Sequence, residues 1–175
     1  GFFWISAIWD KHAYKNTSFS YNTDQVETVV SKLACLNEEN MTKPKKAYPA
    51  FNEEKKEYEI VEEVEGTTVL KDVLIGKVTE AIETGAHTLD MDKAGCYKNP
   101  TWYKEDAEVI KAKDTMNQYV KSIITYDMEY TEEVVDADRI HEWISMNDDC
   151  EVVIDRDKVR EFMSEMGKKY NTVGK

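Results

Sequence analysis

The sequence predicts an α+β fold in which helices are mixed with short, mainly antiparallel strands. Three observations predict it. Apolar residues recur at helical spacing in several segments, short alternating runs come in pairs separated by polar turns, and this order of elements occurs twice along the chain. The 175 residues, 41% of them hydrophobic, suffice for one large domain or two small packed subdomains.

A first helix is expected to begin after Asn22. Asn22 and Gln25 have the spacing of a capping box, in which two side chains cap the first helical turn. An apolar stripe then follows at helical spacing, consisting of Val26, Val29, Val30 and Leu33. Pro44 and its polar neighbours predict a loop over residues 37–46.

Residues 47–51 and 58–62 predict two strands, and the polar run between them predicts a hairpin turn. Gly66 starts the turn into a second helix, which has apolar residues at helical spacing. This helix is expected to end at Gly85, since glycine is the residue most common just past a helix C-terminus. Residues 88–91 predict a further short strand.

The second half begins with a long helix from about Lys104. Its predicted apolar face consists of Ile110, Met116, Tyr119, Val120 and Ile123. Alternating apolar and polar residues over 124–130 predict a half-buried strand, and Val134 and Val135 predict its partner.

Asp136 is the expected N-cap of a short helix. That helix carries three large apolar residues, Ile140, Trp143 and Ile144. Residues 152–154 predict a strand, and Asp155 is the expected N-cap of the last helix. The inward face of the last helix is expected to consist of Val159, Phe162, Met163, Met166 and Tyr170.

Each half therefore has the order helix, strand, strand, helix, strand, which suggests an internal duplication with halves at residues 22–92 and 103–172. The tripeptide Glu-Glu-Val occurs at corresponding places, at 62–64 and at 132–134. Residues 1–21 are expected to be a lead-in, and residues 22–175 a single module.

The formal net charge is −12, from 23 basic and 35 acidic residues. Nucleic acids and anionic membranes attract proteins through Lys and Arg, so this charge argues against both as partners.

No stretch approaches the ~20 apolar residues of a membrane span. The most apolar run, residues 2–9, lacks the features of a signal peptide. If the parent protein is exported, its anchor segment is therefore expected upstream.

Cys35, Cys96 and Cys150 are spread far apart in the sequence. An odd number of cysteines without short spacings is neither a disulfide framework nor a zinc-binding set. At most one pair could form a disulfide, and the sequence does not indicate which. Free, buried thiols are the expectation.

The sharpest candidate for catalysis is Cys96, because Gly95 and Cys96 partly match the Ser-x-Gly-Cys-x-Arg motif of L,D-transpeptidases. Lys93 stands where that motif has Ser, and Lys98 stands where it has Arg. A cysteine nucleophile also needs a base within reach and donors for the oxyanion. His87 is near in sequence but belongs to no supporting motif, so we expect a structural cysteine.

Asp90, Asp92 and Gly95 resemble the start of a calcium-binding loop. Ala94 and Thr101 stand where an EF-hand needs oxygen ligands, so we predict an Asp-rich turn and no metal site.

His141 and Glu142 begin a zinc-protease pattern, but Ser145 occupies the position of the second histidine, so His141 is expected at the surface or at the core boundary.

The carboxylates of residues 53–65 could contain a glycosidase pair. On alternating strands, however, they are expected to line a solvated face. The sequence therefore predicts no catalytic residues and no cofactor.

Aromatic residues are the remaining binding signal. Trp4, Trp9 and Trp102 are weak candidates, because their flat faces suit sugar rings or a partner protein. Trp143 lies between two isoleucines at helical spacing and is expected in the core.

The order and spacing of many short segments resemble one known family. They are residues 42–48 (TKPKKAY), 58–67 (YEIVEEVEGT), 124–127 (ITYD) and 170–172 (YNT), together with Ala81, Ile82, Gly85, Leu89, Tyr97, Pro100, Asn117, Val134, Asp136, Ile140, Trp143 and Gly174. The family is the peptidoglycan-binding domain of Gram-positive L,D-transpeptidases, which also occurs in VanW-like surface proteins. The resemblance covers roughly residues 20–175 and places Tyr97 at a structural position.

The resemblance implies a mixed α/β, non-catalytic module on the cell-wall side of the membrane. The module would bind peptidoglycan, or would position an L,D-transpeptidase domain that follows it in a membrane-anchored parent and carries the catalytic cysteine. Two alternatives stay open. One is a structural spacer of a VanW-like protein without wall affinity, and the other is an enzyme in its own right, a cysteine transpeptidase or a glycosidase.

Overall fold

The computed structural model describes residues 21–128 and 131–170. Within these ranges it has five α-helices, namely α1 Thr23–Val30, α2 Lys71–Thr84, α3 Ala107–Val120, α4 Ala137–Ile140 and α5 Arg156–Tyr170. Six strands form three antiparallel pairs, namely β1 Tyr48–Asn52 with β2 Glu57–Val61, β3 Ile124–Asp127 with β4 Glu132–Val135, and β5 Ile144–Met146 with β6 Val152–Ile154. The predicted α+β class with antiparallel pairing is confirmed.

The described residues divide into two compact units. The smaller unit comprises residues 21–41 and Val69–Tyr97, and the larger unit comprises Thr42–Thr68 with residues 98–128 and 131–170. The chain thus enters each unit twice. The order helix, strand, strand, helix occurs in each half, as α1-β1-β2-α2 and α3-β3-β4-α4, and the internal duplication stays a prediction.

The smaller unit is built on α1 and α2, which pack against each other. Asn22 caps α1 as predicted, since its side-chain oxygen accepts hydrogen bonds from the backbone N–H groups of Asp24 and Gln25 at 2.9 and 3.4 Å. Gly85 ends α2 in the left-handed conformation, with φ +69°, as predicted for a C-cap. The buried core of this unit consists of Val30, Val69, Leu74 and Cys96.

The β1–β2 hairpin turns over residues 53–56. The Asn52 side chain accepts hydrogen bonds from the N–H groups of Glu54 and Lys55 at 3.0 and 3.1 Å, and Lys56 closes the turn with φ +56°. An Asn that satisfies the amides of its own turn is a common way to reverse the chain, so the polar run predicts this hairpin correctly.

Helix α3 packs on this hairpin. Its buried face consists of Val109, Ala112, Met116 and Val120, spaced three or four residues apart. The predicted face was wrong in part, because Ile110, Tyr119 and Ile123 are 39%, 40% and 72% exposed. The true stripe begins one residue earlier and includes an alanine, whose small side chain contributes little to an apolar pattern.

The main core of the larger unit draws side chains from β2, α3, β4, α4 and β5, namely Tyr58, Met116, Val120, Val135, Ile140 and Ile144. Asp136 and Asp155 cap α4 and α5 as predicted. The Asp136 side chain accepts from the Asp138 N–H, and the Asp155 side chain accepts from the N–H groups of Asp157 and Lys158. Helix α4 is shorter than expected. The 3₁₀ turn His141–Trp143 follows it, and Ile144 begins β5.

Residues 88–91 do not form the predicted strand. They lead into a turn in which the Cys96 N–H donates to the Met91 carbonyl at 2.9 Å, and the only bridge nearby in the described chain joins Val69 to Tyr97. The strand predicted over 124–130 ends at Asp127, and Tyr130 lies outside the described residues.

Three residues of the predicted stripes of the first and last helices are exposed. Leu33, at 41% exposure, lies beyond the end of α1, while Val29 on α1 and Met163 on α5 are 65% and 44% exposed. Val29 and Met163 each follow or precede a buried or half-buried neighbour, Val30 or Phe162, and adjacent helical residues point about 100° apart, so one of the two faces solvent.

Candidate functional site

The larger unit contains a cleft of about 420 Å³ that is lined by three lysines. We call it the lysine cleft, and its lining residues are Lys43, Pro44, Lys46, Thr68, Lys98, Asn99, Pro100 and Thr101. Three lysines that line one cleft stand out in a chain whose net charge is −12. Positive charge concentrated in a cleft attracts anions locally even when the whole surface is acidic.

Backbone hydrogen bonds fix the walls of the cleft. Lys45 and Val64 exchange two N–H···O bonds of 2.8 and 2.9 Å, which holds the segment that carries Lys43 and Lys46. The N–H of Lys98 donates to the Thr68 carbonyl at 2.8 Å, which holds the opposite segment. The lysines therefore project from ordered backbone.

Gly66 lets its own segment approach the wall that carries Lys43 closely. Its φ is +74°, and a Cβ at this position would lie 2.5 Å from the Thr42 carbonyl oxygen and 2.7 Å from the Pro44 nitrogen. Both contacts are with backbone, which cannot swing away as a side chain can. The residue is therefore required to be glycine for steric as well as conformational reasons.

The three lysines differ in their partners. Lys46 forms an ion pair with the exposed Asp148, and the hydrogen bond from Lys46 lowers the pKa of that carboxyl. Within residues 21–128 and 131–170, Lys43 and Lys98 make no ion pair, and both side chains are exposed. These two ammonium groups are the ones available to an incoming anion.

Trp102 lies next to the cleft residue Thr101 and supports its wall. The indole N–H donates to the Asp148 carbonyl at 2.9 Å, and the Trp102 carbonyl accepts from the Ala47 N–H at 2.9 Å. The half-buried ring packs against the core cluster of Ala47, Val109 and Cys150. The structure thus gives this binding candidate a packing role, while Trp4 and Trp9 lie outside the described residues.

Cys96 lies in the core of the smaller unit and is fully buried. Burial raises the pKa of its thiol, with a small opposing effect of Lys77. A nucleophilic cysteine needs a lowered pKa and an accessible sulfur. His87 is exposed. The environment of Cys96 is therefore that of a packing residue.

Cys35 and Cys150 also carry free thiols. Cys150 is buried in the larger unit, and burial raises the pKa of its thiol as well. Cys35 is partly exposed.

His141 lies at the boundary of the core, as predicted. Its ring stacks on Phe51 with the centroids 4.1 Å apart and the planes 2° from parallel. Its carbonyl accepts a hydrogen bond from the Tyr58 hydroxyl at 3.2 Å. Across the described residues, no cluster of three or more His, Cys, Asp or Glu side chains is arranged to hold a metal ion.

The acidic run around β2 makes structural contacts. Glu59 pairs with Lys55, and that hydrogen bond lowers the pKa of the Glu59 carboxyl, which is opposite to the raised pKa of a general acid. Glu62 pairs with the Lys104 ammonium at 2.7 Å, and Glu63 accepts from the Lys104 N–H at 2.9 Å.

The Asp90 side chain stabilises the turn in which it lies. It accepts a hydrogen bond from the Lys93 N–H at 3.2 Å and lies 3.4 Å from the Lys93 ammonium. The Asp-rich segment therefore caps a turn, which is what the sequence predicted.

A second polar cleft, of about 450 Å³, lies beside α4 and α5. Its aromatic residues are Trp143 and Phe162, with ring centroids 5.2 Å apart. Arg139 lies over the Phe162 ring and also pairs with Glu142 at 2.9 Å. Its cation is already neutralised and one ring face is covered, so this cleft offers less to a ligand than the lysine cleft.

The lysine cleft was missed from the sequence. Lys43, Lys45 and Lys46 are a visible basic cluster in an acidic chain, but Lys98 lies more than fifty residues away. Only the fold brings Lys98 beside Lys43. The available signal was the proline beside each basic segment, Pro44 and Pro100, which marks a stiff backbone.

Among the described residues, no helix has the length and apolar character that crossing a membrane requires. In comparisons with known proteins, no family model, no curated protein and no solved structure matches the chain.

Proposed function

We propose that this chain is a non-catalytic, extracytoplasmic module that binds peptidoglycan or positions an L,D-transpeptidase catalytic domain for cell-wall cross-linking. The lysine cleft is the observation that carries the binding half of the proposal. Peptidoglycan peptides bear free carboxylates, and the exposed ammonium groups of Lys43 and Lys98 are suited to bind them.

The environments of the two candidate catalytic residues, Cys96 and Glu59, support a non-catalytic role. Cys96 is buried and its pKa is raised, and Glu59 has a lowered pKa. Neither residue has the environment of a nucleophile or of a general acid. In this proposal the chemistry of the parent protein is carried by its own catalytic cysteine domain.

Cosedimentation with purified peptidoglycan sacculi tests the binding role. We expect the wild-type chain to pellet with sacculi, less so at moderate salt than at low salt, because exposed charge pairs are screened. The double substitution Lys43→Gln and Lys98→Gln should reduce pelleting. The matched control substitutes Lys121→Gln and Lys168→Gln, which are exposed lysines outside the cleft, and should leave pelleting unchanged.

Wild-type protein that pellets no more than an unrelated globular protein, at both salt concentrations, would remove the binding role. The positioning role would then be the part of the proposal that survives.

A spacer of a VanW-like protein is the second candidate. The observation that favours it is the exposure of three apolar side chains near the C-terminal helix, since Val153, Ile154 and Met163 are 40%, 50% and 44% exposed. A neighbouring domain that docks on them would bury them. Fusion to that domain should then raise the unfolding midpoint of the module, and an unchanged midpoint would count against docking.

A further inference from the structure

We infer that the lysine cleft is a binding site for the free carboxylate of a short peptide. This inference rests on the proposed wall-binding function and names the ligand group that the cleft takes. It is carried by the placement of two unpaired ammonium groups, by the polar groups beside them and by the charge of the rest of the chain.

The ammonium groups come from two segments that are distant in sequence. Lys43 precedes Pro44 on one wall, and Lys98 follows the smaller unit's return to the other wall. A carboxylate has two oxygens, each able to accept from a different cation. Lys43 and Lys98, on different segments, can each donate to one carboxylate oxygen. A single surface lysine would give only a weak, screened contact.

Neutral groups beside the lysines suit a peptide backbone. Asn99 and Thr101 line the cleft with exposed side chains, and together they offer amide and hydroxyl donors and acceptors. The Thr68 hydroxyl donates to the Thr42 carbonyl at 3.2 Å, and its oxygen keeps the capacity to accept from a ligand N–H. The cleft therefore supplies partners for an amide next to the carboxylate.

Proline rings form the apolar part of the wall. Pro100 is buried and Pro44 is partly buried, and each ring fixes its backbone φ. A pre-ordered wall lowers the entropy cost of binding. The Pro44 ring, which keeps part of its surface exposed, suits the short aliphatic side chain of a C-terminal residue.

The charge of the chain favours an isolated carboxylate over a polyanion. A net charge of −12 repels a long phosphate polymer along its whole length, and the exposed carboxylate of Asp148 lies next to the cleft through Lys46. A ligand with one anionic group meets the cleft cations and avoids most of that repulsion.

NMR titration of the full chain tests the inference, with the amide signals of Lys98 and Asn99 as the readout. The probes are a cell-wall-type stem tetrapeptide with a free C-terminal carboxylate and as few other charges as possible, the same peptide as its C-terminal amide, a poly(glycerol phosphate) chain and inorganic phosphate. We expect the free acid to bind, and the amide and the polymer to bind about tenfold more weakly or less, which corresponds to about 1.4 kcal/mol.

Variants assign the site. The double substitution Lys43→Gln and Lys98→Gln should weaken binding of the free acid about tenfold, while the control Lys121→Gln and Lys168→Gln should not change it. Equal binding of acid and amide, stronger binding of phosphate or its polymer, or an equal loss in the control would overturn the inference.

The outcome for wall binding is separate. If sacculi pellet the protein but the free acid shifts no cleft amide, the inference fails and the proposed function stands. If the free acid binds in the cleft but sacculi do not pellet the protein, the carboxylate site stands and wall binding fails.

Discussion

Asn117 on α3 satisfies both backbone polar groups of Tyr58 on β2. Its side-chain oxygen accepts from the Tyr58 N–H at 2.7 Å, and its side-chain amide donates to the Tyr58 carbonyl at 3.0 Å. The pair joins the helix to the edge of β2 that faces away from β1. An amide side chain can do this because it is both donor and acceptor, like a peptide group.

Substitution Asn117→Ala should destabilise the fold by about 2 kcal/mol, because it leaves two partly buried backbone groups without their partner. Urea unfolding followed by circular dichroism measures the loss. The neighbouring exposed residue supplies the control, since Gln118→Ala should change the free energy of unfolding by less than about 0.5 kcal/mol. Equal losses in the two variants would show that the double hydrogen bond does not stabilise the fold.

Two glycines with nearly the same φ make a matched pair. Gly66→Ala should cost about 3 kcal/mol or more, because its Cβ would clash with backbone atoms in addition to the left-handed strain. Gly85→Ala should cost about 1 kcal/mol, because no atom lies within 4 Å of its added Cβ and only the strain remains. Thermal or urea unfolding of both variants compares the two costs, and similar values would contradict the steric argument.

Tyr58 should make the fold sensitive to high pH. Burial raises the pKa of its hydroxyl from 10.0 to about 12, because the charged phenolate is disfavoured in the core. The protonated form therefore stabilises the folded state. This stability is fully present below pH 10 and is lost as the pH rises from about 10 to 12.

Unfolding free energies of wild type and Tyr58→Phe between pH 9 and pH 12 isolate this contribution, with the pH limits set around the two pKa values. The Phe variant should lose less stability over this range, because it has no hydroxyl to ionise. Parallel pH profiles would show that Tyr58 titrates like an exposed tyrosine.

The thiols should differ in reactivity. Cys35 is partly exposed, whereas Cys96 and Cys150 are buried with raised pKa values. At pH 8 we expect one fast thiol reaction with a disulfide reagent, and two that are slower by about tenfold or more. Cys35→Ser should remove the fast phase. A fast phase that persists in this variant and disappears in Cys96→Ser would show that Cys96 is the reactive thiol.

Local patterns were the dependable part of the sequence. Asn22, Asp136 and Asp155 cap their helices as predicted, and Gly85 ends α2. These features depend on residues a few positions apart, so the sequence contains all the information that they need. The β1–β2 hairpin follows for the same reason, because Asn52 completes its own turn.

Features that depend on distant contacts were not predictable in this way. Helix α3 buries Val109 and Ala112 in place of Ile110 and Tyr119, because the hairpin beneath it decides which side is covered. The lysine cleft needs Lys98 beside Lys43, and no local pattern records that approach. The hydrogen bond from the Trp102 indole N–H to the Asp148 carbonyl joins residues 46 positions apart, and no local pattern records it either.

Residues 69–97 leave the larger unit after Thr68 and return to it at Lys98, and these two residues are neighbours in space. Lys98 is hydrogen-bonded to Thr68 on the larger unit's side, and Val69 is bridged to Tyr97 on the smaller unit's side. Such a stretch has the topology of an insertion, whose two ends a short turn can join. A single deletion in the gene, from codon 69 to codon 97, would leave the larger unit's two segments joined in their present order, but it would also remove the residues on which α1 packs.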